Sequence, residues 1–467
     1  MKDTLVITAR GSGAEILPYL KLWGILPAAL FSTWVYTRLI TRFSHPQAFR
    51  ILIGAFLAFF LAFVTVLYPF REQLHPHLIA DQLELVLPSG FKGLIAMFRN
   101  WTFTAFYIMA ELWGSILLSV MFWGLANEIT RLADAHRFYG VFALASNSAA
   151  MSAGLAGILL AQPEYNPWIP FGSDAWEQTQ FLFILTVLIA GLAMLALYHR
   201  IFKAQAGQLT QSHPKAKKRH LSFFDSFRFL VRSPYLAKIA CLTIGYNLTI
   251  NLVEVLWKDQ LRLLYPDRVA YNTYMANITL GIGLISLAVS CPISWLLHRC
   301  GWTFTALLTP VIMGVASLGF FGTLFLDGWV ERLGVFFHGM QPLVLTVFFG
   351  GAQCCLSKAA KYSVFDASRE MAFIPLAADV KRQGKAAIDG VGSRVAKSGS
   401  SALLQALLMC FGTLSACAPV IAVVVFTMLG LWIYCVQSLG HQFKSLQEHH
   451  DSEAASTEDV EAVRAAV

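Results

Sequence analysis

Apolar runs of about twenty residues recur along the chain between short polar stretches, and a helix of that length crosses a bilayer core of about 30 Å. The pattern predicts spans near 18–40, 48–69, 101–125, 139–162, 179–202, 234–257, 274–297, 303–326, 334–357, 394–415 and 417–438. Phe, Leu and Ala fill several of them, as in Ile51-Leu-Ile-Gly-Ala-Phe-Leu-Ala-Phe-Phe60. The segment from Asp3 to Ala9 points to a twelfth span, yet ten helical residues rise only about 15 Å. A first helix largely missing from this chain, through truncation or a miscalled start, is therefore expected. The fold class is all-α integral membrane, with about twelve transmembrane helices.

The longest polar interruption, 204–233, contains Lys215-Ala-Lys-Lys-Arg219 and reads as a cytoplasmic basic linker. It separates an N-terminal helical bundle, 1–203, from a C-terminal one, 234–440. The tail 441–467, with Glu453, Glu458, Asp459 and Glu461, is polar and acidic and reads as a disordered cytoplasmic end. Span 139–162 is rich in Gly, Ala and Ser and reads as a close helix-packing surface, not a site.

Composition agrees. Of 467 residues 57% are hydrophobic and 13% charged, against about 25% charged in a soluble domain. The net charge of +8 does not point to nucleic acid, because the basic residues alternate with the loops. Arg42, Arg131, Arg137, the stretch Lys203 to Arg232, Arg299 and the stretch Lys358 to Lys385 mark one side, whereas loop 163–178 has no Lys or Arg. This positive-inside pattern places the linker and the C-terminus in the cytoplasm. Loop 258–272, with Lys258, Arg262 and Arg268, fits the pattern less well. All eight cysteines follow residue 240 and form no CxxC pair, so neither a disulfide framework nor a metal site is indicated.

Four ionisable residues fall inside apolar spans: Lys21 and Glu111 in the first half, Glu254 and Lys397 in the second. Each costs about 2.5–3.5 kcal/mol at depth on insertion scales and normally faces a polar path. Helical spacing aligns Asn100, Thr104, Tyr107, Glu111 and Ser115 on one face. It likewise aligns Thr243, Asn247, Asn251 and Glu254, and then Arg394, Lys397, Ser401 and Gln405. Lys21 has only Ser32 as a polar companion. Structural ion pairs, Lys21 with Glu111 and Glu254 with Lys397, are the plain alternative to a pathway. Two pairs with three stripes favour a path for a charged, polyvalent solute, and an empty carrier needs its buried charges paired in any case. Trp23, Trp101, Trp113 and Trp257 read as interfacial anchors, and His338 as a packed helix-end residue.

Gly390-Val-Gly-Ser-Arg-Val-Ala-Lys-Ser398 imitates a phosphate-binding loop, but Ala396 stands where that motif needs Gly and no strand precedes it. HExxH, GxSxG and Asp-rich metal motifs are missing. An enzyme is not expected, and no metal or other cofactor is implied.

Several longer strings carry a family resemblance. They are Lys2-Asp-Thr-Leu-Val-Ile-Thr-Ala-Arg-Gly-Ser-Gly-Ala-Glu-Ile-Leu-Pro-Tyr-Leu-Lys-Leu-Trp23, Ala110-Glu-Leu-Trp-Gly-Ser115, Phe122-Trp-Gly-Leu-Ala-Asn-Glu-Ile-Thr130 and Ile250-Asn-Leu-Val-Glu-Val-Leu-Trp-Lys258. Ser357-Lys-Ala-Ala-Lys-Tyr-Ser-Val-Phe-Asp366, Glu370-Met-Ala-Phe-Ile-Pro375, Gly384-Lys-Ala-Ala-Ile-Asp389 and Lys397-Ser-Gly399 continue the series. With these strings the chain resembles the nucleotide transporters of obligate intracellular bacteria and plastids, the ATP/ADP translocases of Chlamydia- and Rickettsia-type organisms.

The resemblance implies two six-helix bundles of major-facilitator type. It implies a multi-pass protein of the bacterial inner membrane that moves ATP, ADP or other nucleoside triphosphates by exchange (antiport) or proton symport. The family's four important intramembrane charges fall on Lys21, Glu111, Glu254 and Lys397. On this reading Lys21 and Lys397 bind the polyphosphate, with Lys385, Arg394 and Arg99 as further cations. Glu111 and Glu254 pair with lysines in the empty state or accept hydrogens from ribose or base, and either is a candidate proton carrier. Asn247, Asn251 and Tyr107 are candidate base or ribose contacts. Nucleotide, protons and the lipid bilayer are the partners, and a monomer is the expected unit. Asn247, where exchangers usually have Gly, and Gly390-Val-Gly392 lean toward broader nucleotide choice. A facilitator for another organic phosphate anion is the alternative.

Overall fold

The computed structural model describes residues 1–122, 135–205, 233–290, 292–325, 340–376, 378–388 and 393–465. The linker's central part, His338 and the Gly390-Val-Gly392 string lie outside the described residues. Every regular element among the described residues is helical. Among the described residues eight helices are long and apolar enough to cross a membrane: Ile16–Arg42, Pro46–Leu67, Ala175–Ile201, Pro234–Leu264, Arg268–Ser290, Arg299–Phe325, Pro342–Met371 and Leu414–Lys444. Two shorter apolar helices, Ser148–Leu159 and Val395–Phe411, lie where two more spans are expected. The expected span 101–125 is a helix, Trp101–Trp113, continued by a π-helical stretch, Gly114–Phe122.

The elements are labelled α1 (Lys2–Ile7), α2 (Ile16–Arg42), α3 (Pro46–Leu67), α4 (His77–Val86), α5 (Lys92–Arg99), α6 (Trp101–Trp113), α7 (Ala135–Leu159), α8 (Ala175–Gln205) and α9 (Pro234–Leu264). The remainder are α10 (Arg268–Ser290), α11 (Ile293–Phe325, broken at Gly301), α12 (Pro342–Met371), α13 (Ala378–Ala387), α14 (Ser393–Phe411) and α15 (Leu414–Ala465). The last helix thus runs through the acidic stretch expected as a disordered end.

Beside an apolar core, the helices expose large apolar side chains that a water-soluble protein would cover. Phe31, Trp34, Leu192, Val315 and Val423 are exposed in mid-helix, while Thr305, Thr309, Ser317 and Gln353 are buried. Apolar side chains face lipid and the polar ones turn inward, where Thr305 donates to the Gly301 carbonyl of its own helix at 2.9 Å and Gln353 reaches Ser317 across helices at 3.4 Å. The glycines of α7 behave as their spacing predicts. A Cβ on Gly154 would overlap the Leu280 backbone, and one on Gly157 would come within 2.7 Å of Ala276 Cβ, so α7 and α10 approach backbone to backbone.

Contacts gather the chain into two compact units. One comprises Met1–Lys218, Val255–Gly281 and Ser401–Ala418, and the other Arg219–Glu254, Ile282–Ser400 and Pro419–Val467. Parts of α9, α10, α14 and α15 therefore cluster with the first half of the chain.

Candidate functional site

In the first unit the site is built on α1, α2 and α6. Pro27 has no N–H to donate, and its ring crowds the carbonyl one turn before it. The helix widens into a π turn over Leu20–Ile25, immediately ahead of that proline. Lys21 sits in this turn, half-buried. The same turn lies against α6, where a Cβ on Gly24 would meet Ile108 Cδ1 at 3.0 Å. Mid-helix π turns often mark functional positions.

Glu111 lies three residues before the π stretch of α6. Its carboxylate accepts a hydrogen bond from Lys2 Nζ at 2.6 Å, and the same ammonium stands 5.2 Å from the centre of the Tyr107 ring. This corrects the sequence pairing of Glu111 with Lys21: the partner is Lys2, on α1. The stripe divides along its length. Asn100 donates to the carbonyl of Arg10 at 3.0 Å and Thr104 to that of Met97 at 3.1 Å, so its upper half anchors the helix. Only Tyr107 and Glu111 reach a charge.

In the second unit, α9 presents the other carboxylate. Glu254 accepts from Lys358 Nζ at 3.1 Å, with 13% and 27% of the two side chains exposed. Lys358 was expected in a cytoplasmic loop, but α12 continues past it and widens into a π turn at Lys361–Phe365. The cation closed the apolar run by hydropathy and so hid the rest of the helix. Asn247 donates to the Thr243 carbonyl at 2.8 Å and Asn251 to the Asn247 carbonyl at 2.7 Å, both on their own helix. Lys361 pairs with Asp366 at 3.2 Å and stands 5.9 Å from the buried Tyr246 ring. Each unit therefore holds a lysine–glutamate pair with a tyrosine close by.

The remaining candidates separate. Lys397 is exposed on α14, one turn after Arg394. The stripe's last member, Gln405, donates to the Pro18 carbonyl at 2.9 Å and accepts from Trp23 Nε1 at 3.1 Å, so it pins α14 to α2. Lys385 forms an ion pair with Glu370 at 2.6 Å. Arg99, only 2% exposed, holds Asp81 and Glu84 of α4 and packs over Gly11, whose φ of +63° suits glycine. This hydrogen bond keeps the Asp81 carboxyl below its ordinary range. Arg99 thus clamps a loop helix outside the spans. Trp257 is fully buried rather than interfacial, and Trp113 stacks edge-on with Phe56 and Phe60.

The misfit of loop 258–272 has a local cause. Lys258 continues α9 and pairs with Asp3 at 3.2 Å, and Arg268 donates to the Tyr68 hydroxyl at 3.1 Å. These cations have protein partners and do not behave as loop charges.

Polar faces and paired charges inside a set of lipid-facing helices define a multi-pass membrane transporter. The family model described as TLC ATP/ADP transporter matches residues 1–443. ADP,ATP carrier protein 2 of Chlamydia pneumoniae is 39% identical over 95% of this chain and 85% of its own length. ADP,ATP carrier protein 1 of Chlamydia muridarum is 39% identical over 100% and 89%, and the chloroplastic ADP,ATP carrier protein 1 of Arabidopsis thaliana 36% over 97% and 72%. The chain belongs to the TLC ATP/ADP transporter family, whose members are carriers and not enzymes.

Proposed function

We propose that this chain is a secondary transporter that moves ATP and ADP across the bacterial inner membrane by alternating access. The observation that carries the reading is a lysine–glutamate pair within the helices of each unit, in a chain akin to ADP,ATP carriers along nearly its whole length. A nucleoside triphosphate with about four negative charges needs cations once its water is stripped, and the lysine ammonium is a point charge suited to phosphate. Lys21 and Lys397 take the polyphosphate. Lys2 and Lys358 hold Glu111 and Glu254 while the carrier is empty, and the arriving phosphates compete with the carboxylates for those lysines. Asn247, Asn251 and Tyr107 offer amide and hydroxyl groups to ribose and base. The side chain of Arg394 lies outside the described residues, and Lys385 serves its pair with Glu370.

The test is uptake of labelled ATP, GTP, CTP and UTP into bacteria expressing the gene. Lys21→Ala and Lys397→Ala each reach the membrane and lose nucleotide uptake; normal uptake by either ends its phosphate role. Release of preloaded ADP by external ATP marks exchange, and collapse of uptake with an uncoupler marks proton symport.

A further inference from the structure

We propose that Asp3 and Lys258 form a lock that keeps the protein closed on the face where α1 meets the C-terminal end of α9. Lys258 Nζ lies 3.2 Å from Asp3 Oδ2, with 5% and 15% of the side chains exposed. The neighbouring pair of Lys2 and Glu111 is wetter, at 32% and 36%. Water and arriving anions reach the wetter pair, whereas the drier one is shielded from both, and separating it would leave two buried charges, so it holds until the helices part.

The sequence supplies a second observation. Lys2-Asp3-Thr4-Leu5 on α1 returns as Lys258-Asp259-Gln260-Leu261 on α9. Adjacent helical residues point about 100° apart, so one doublet addresses two directions. Lys2 turns to Glu111 and Asp3 to Lys258. Releasing the lock therefore moves the residue next to the one that holds the carrier carboxylate, and that link to cargo rests on the transport reading above. The lock does not stand alone on this face. Thr4 donates to Asn272 Oδ1 at 3.3 Å, Arg268 to the Tyr68 hydroxyl at 3.1 Å, and Gly90 lies against the Met409 backbone, where a Cβ would come within 2.7 Å.

The experiment reports closure without nucleotide. Asn272, 3% exposed beside Thr4, is replaced by Cys in a chain whose exposed Cys300 and Cys410 are Ser, and maleimide labelling of the purified, detergent-solubilised protein is timed. Asp3→Asn and Lys258→Met are expected to raise the rate about tenfold, equivalent to about 1.4 kcal/mol of closed state. Lys258→Arg keeps a cation and labels at the parent's rate, and the exchange Asp3→Lys with Lys258→Asp returns most of the way to it. Parental labelling in both single variants overturns the lock, as does an exchange variant that labels as fast as they do. If a single variant fails to accumulate, the exchange and Lys258→Arg variants decide on the same readout. No nucleotide is present, so a failure of the nucleotide reading, seen in uptake, is separate from a failure here.

Discussion

Charges inside this protein are met by protein partners, and the partners decide what each charge can do. Glu111 and Glu254 face lysines across 109 and 104 residues of sequence. Helical spacing reveals that such a carboxylate exists but not who answers it, which is why Lys2 and Lys358 escaped the sequence reading. Arg99 shows the converse: a basic residue near a helix end looked available for phosphate until Asp81 and Glu84 proved to hold it. His75, outside the spans and 6% exposed, lies 2.7 Å from the Thr102 hydroxyl. Burial, and then the neighbouring His77, lower its pKa from 6.5 to about 4. Above about 6.5 the ring is neutral folded or unfolded. Between there and about 4 only the unfolded chain takes up the proton, so stability falls as pH falls through that window. Thermal melting of the purified protein from pH 7 to 4 should show that loss, and His75→Gln should flatten it.

At the scale of elements, hydropathy located most spans because lipid-facing sides are so uniformly apolar, and the glycine spacing of α7 marked a packing face. It could not reveal the π turns, which depend on backbone hydrogen-bond shifts rather than polarity; only Pro27, just after the Lys21 turn, left a trace in the sequence. Nor could it see that α12 runs on through Lys358. The tightness of the α7–α10 contact yields a prediction. Gly154→Val drives side-chain atoms into the Leu280 backbone, which has no rotamer to give. It should cost about 1–3 kcal/mol, read as a lower melting temperature and early aggregation on size-exclusion chromatography. Gly430 in α15 has no atom within 4 Å of an added Cβ, and Gly430→Ala should be neutral or stabilise by about 0.5–1 kcal/mol.

For the molecule as a whole, family membership agrees with the motifs read from the chain, while the grouping of Val255–Gly281 and Ser401–Ala418 with the first half had no counterpart in the sequence. That grouping depends on contacts between distant segments, such as Gln405 with Pro18 and Lys258 with Asp3, which no local pattern encodes. The two lysine–glutamate pairs have an electrical consequence. A cation and an anion held together within each unit move through the membrane field as a neutral dipole, so neither pair adds to the charge displaced when an empty carrier reorients. Glu111→Gln or Glu254→Gln leaves a lysine to cross that field uncompensated, at about 2.3 kcal/mol per elementary charge per 100 mV. In proteoliposomes under an imposed potassium diffusion potential and without nucleotide inside, either variant should show net nucleotide uptake, which includes the empty return, at a rate that depends more steeply on voltage than the parent's. The pairing thus insulates the return half of the cycle from the cell's own membrane potential.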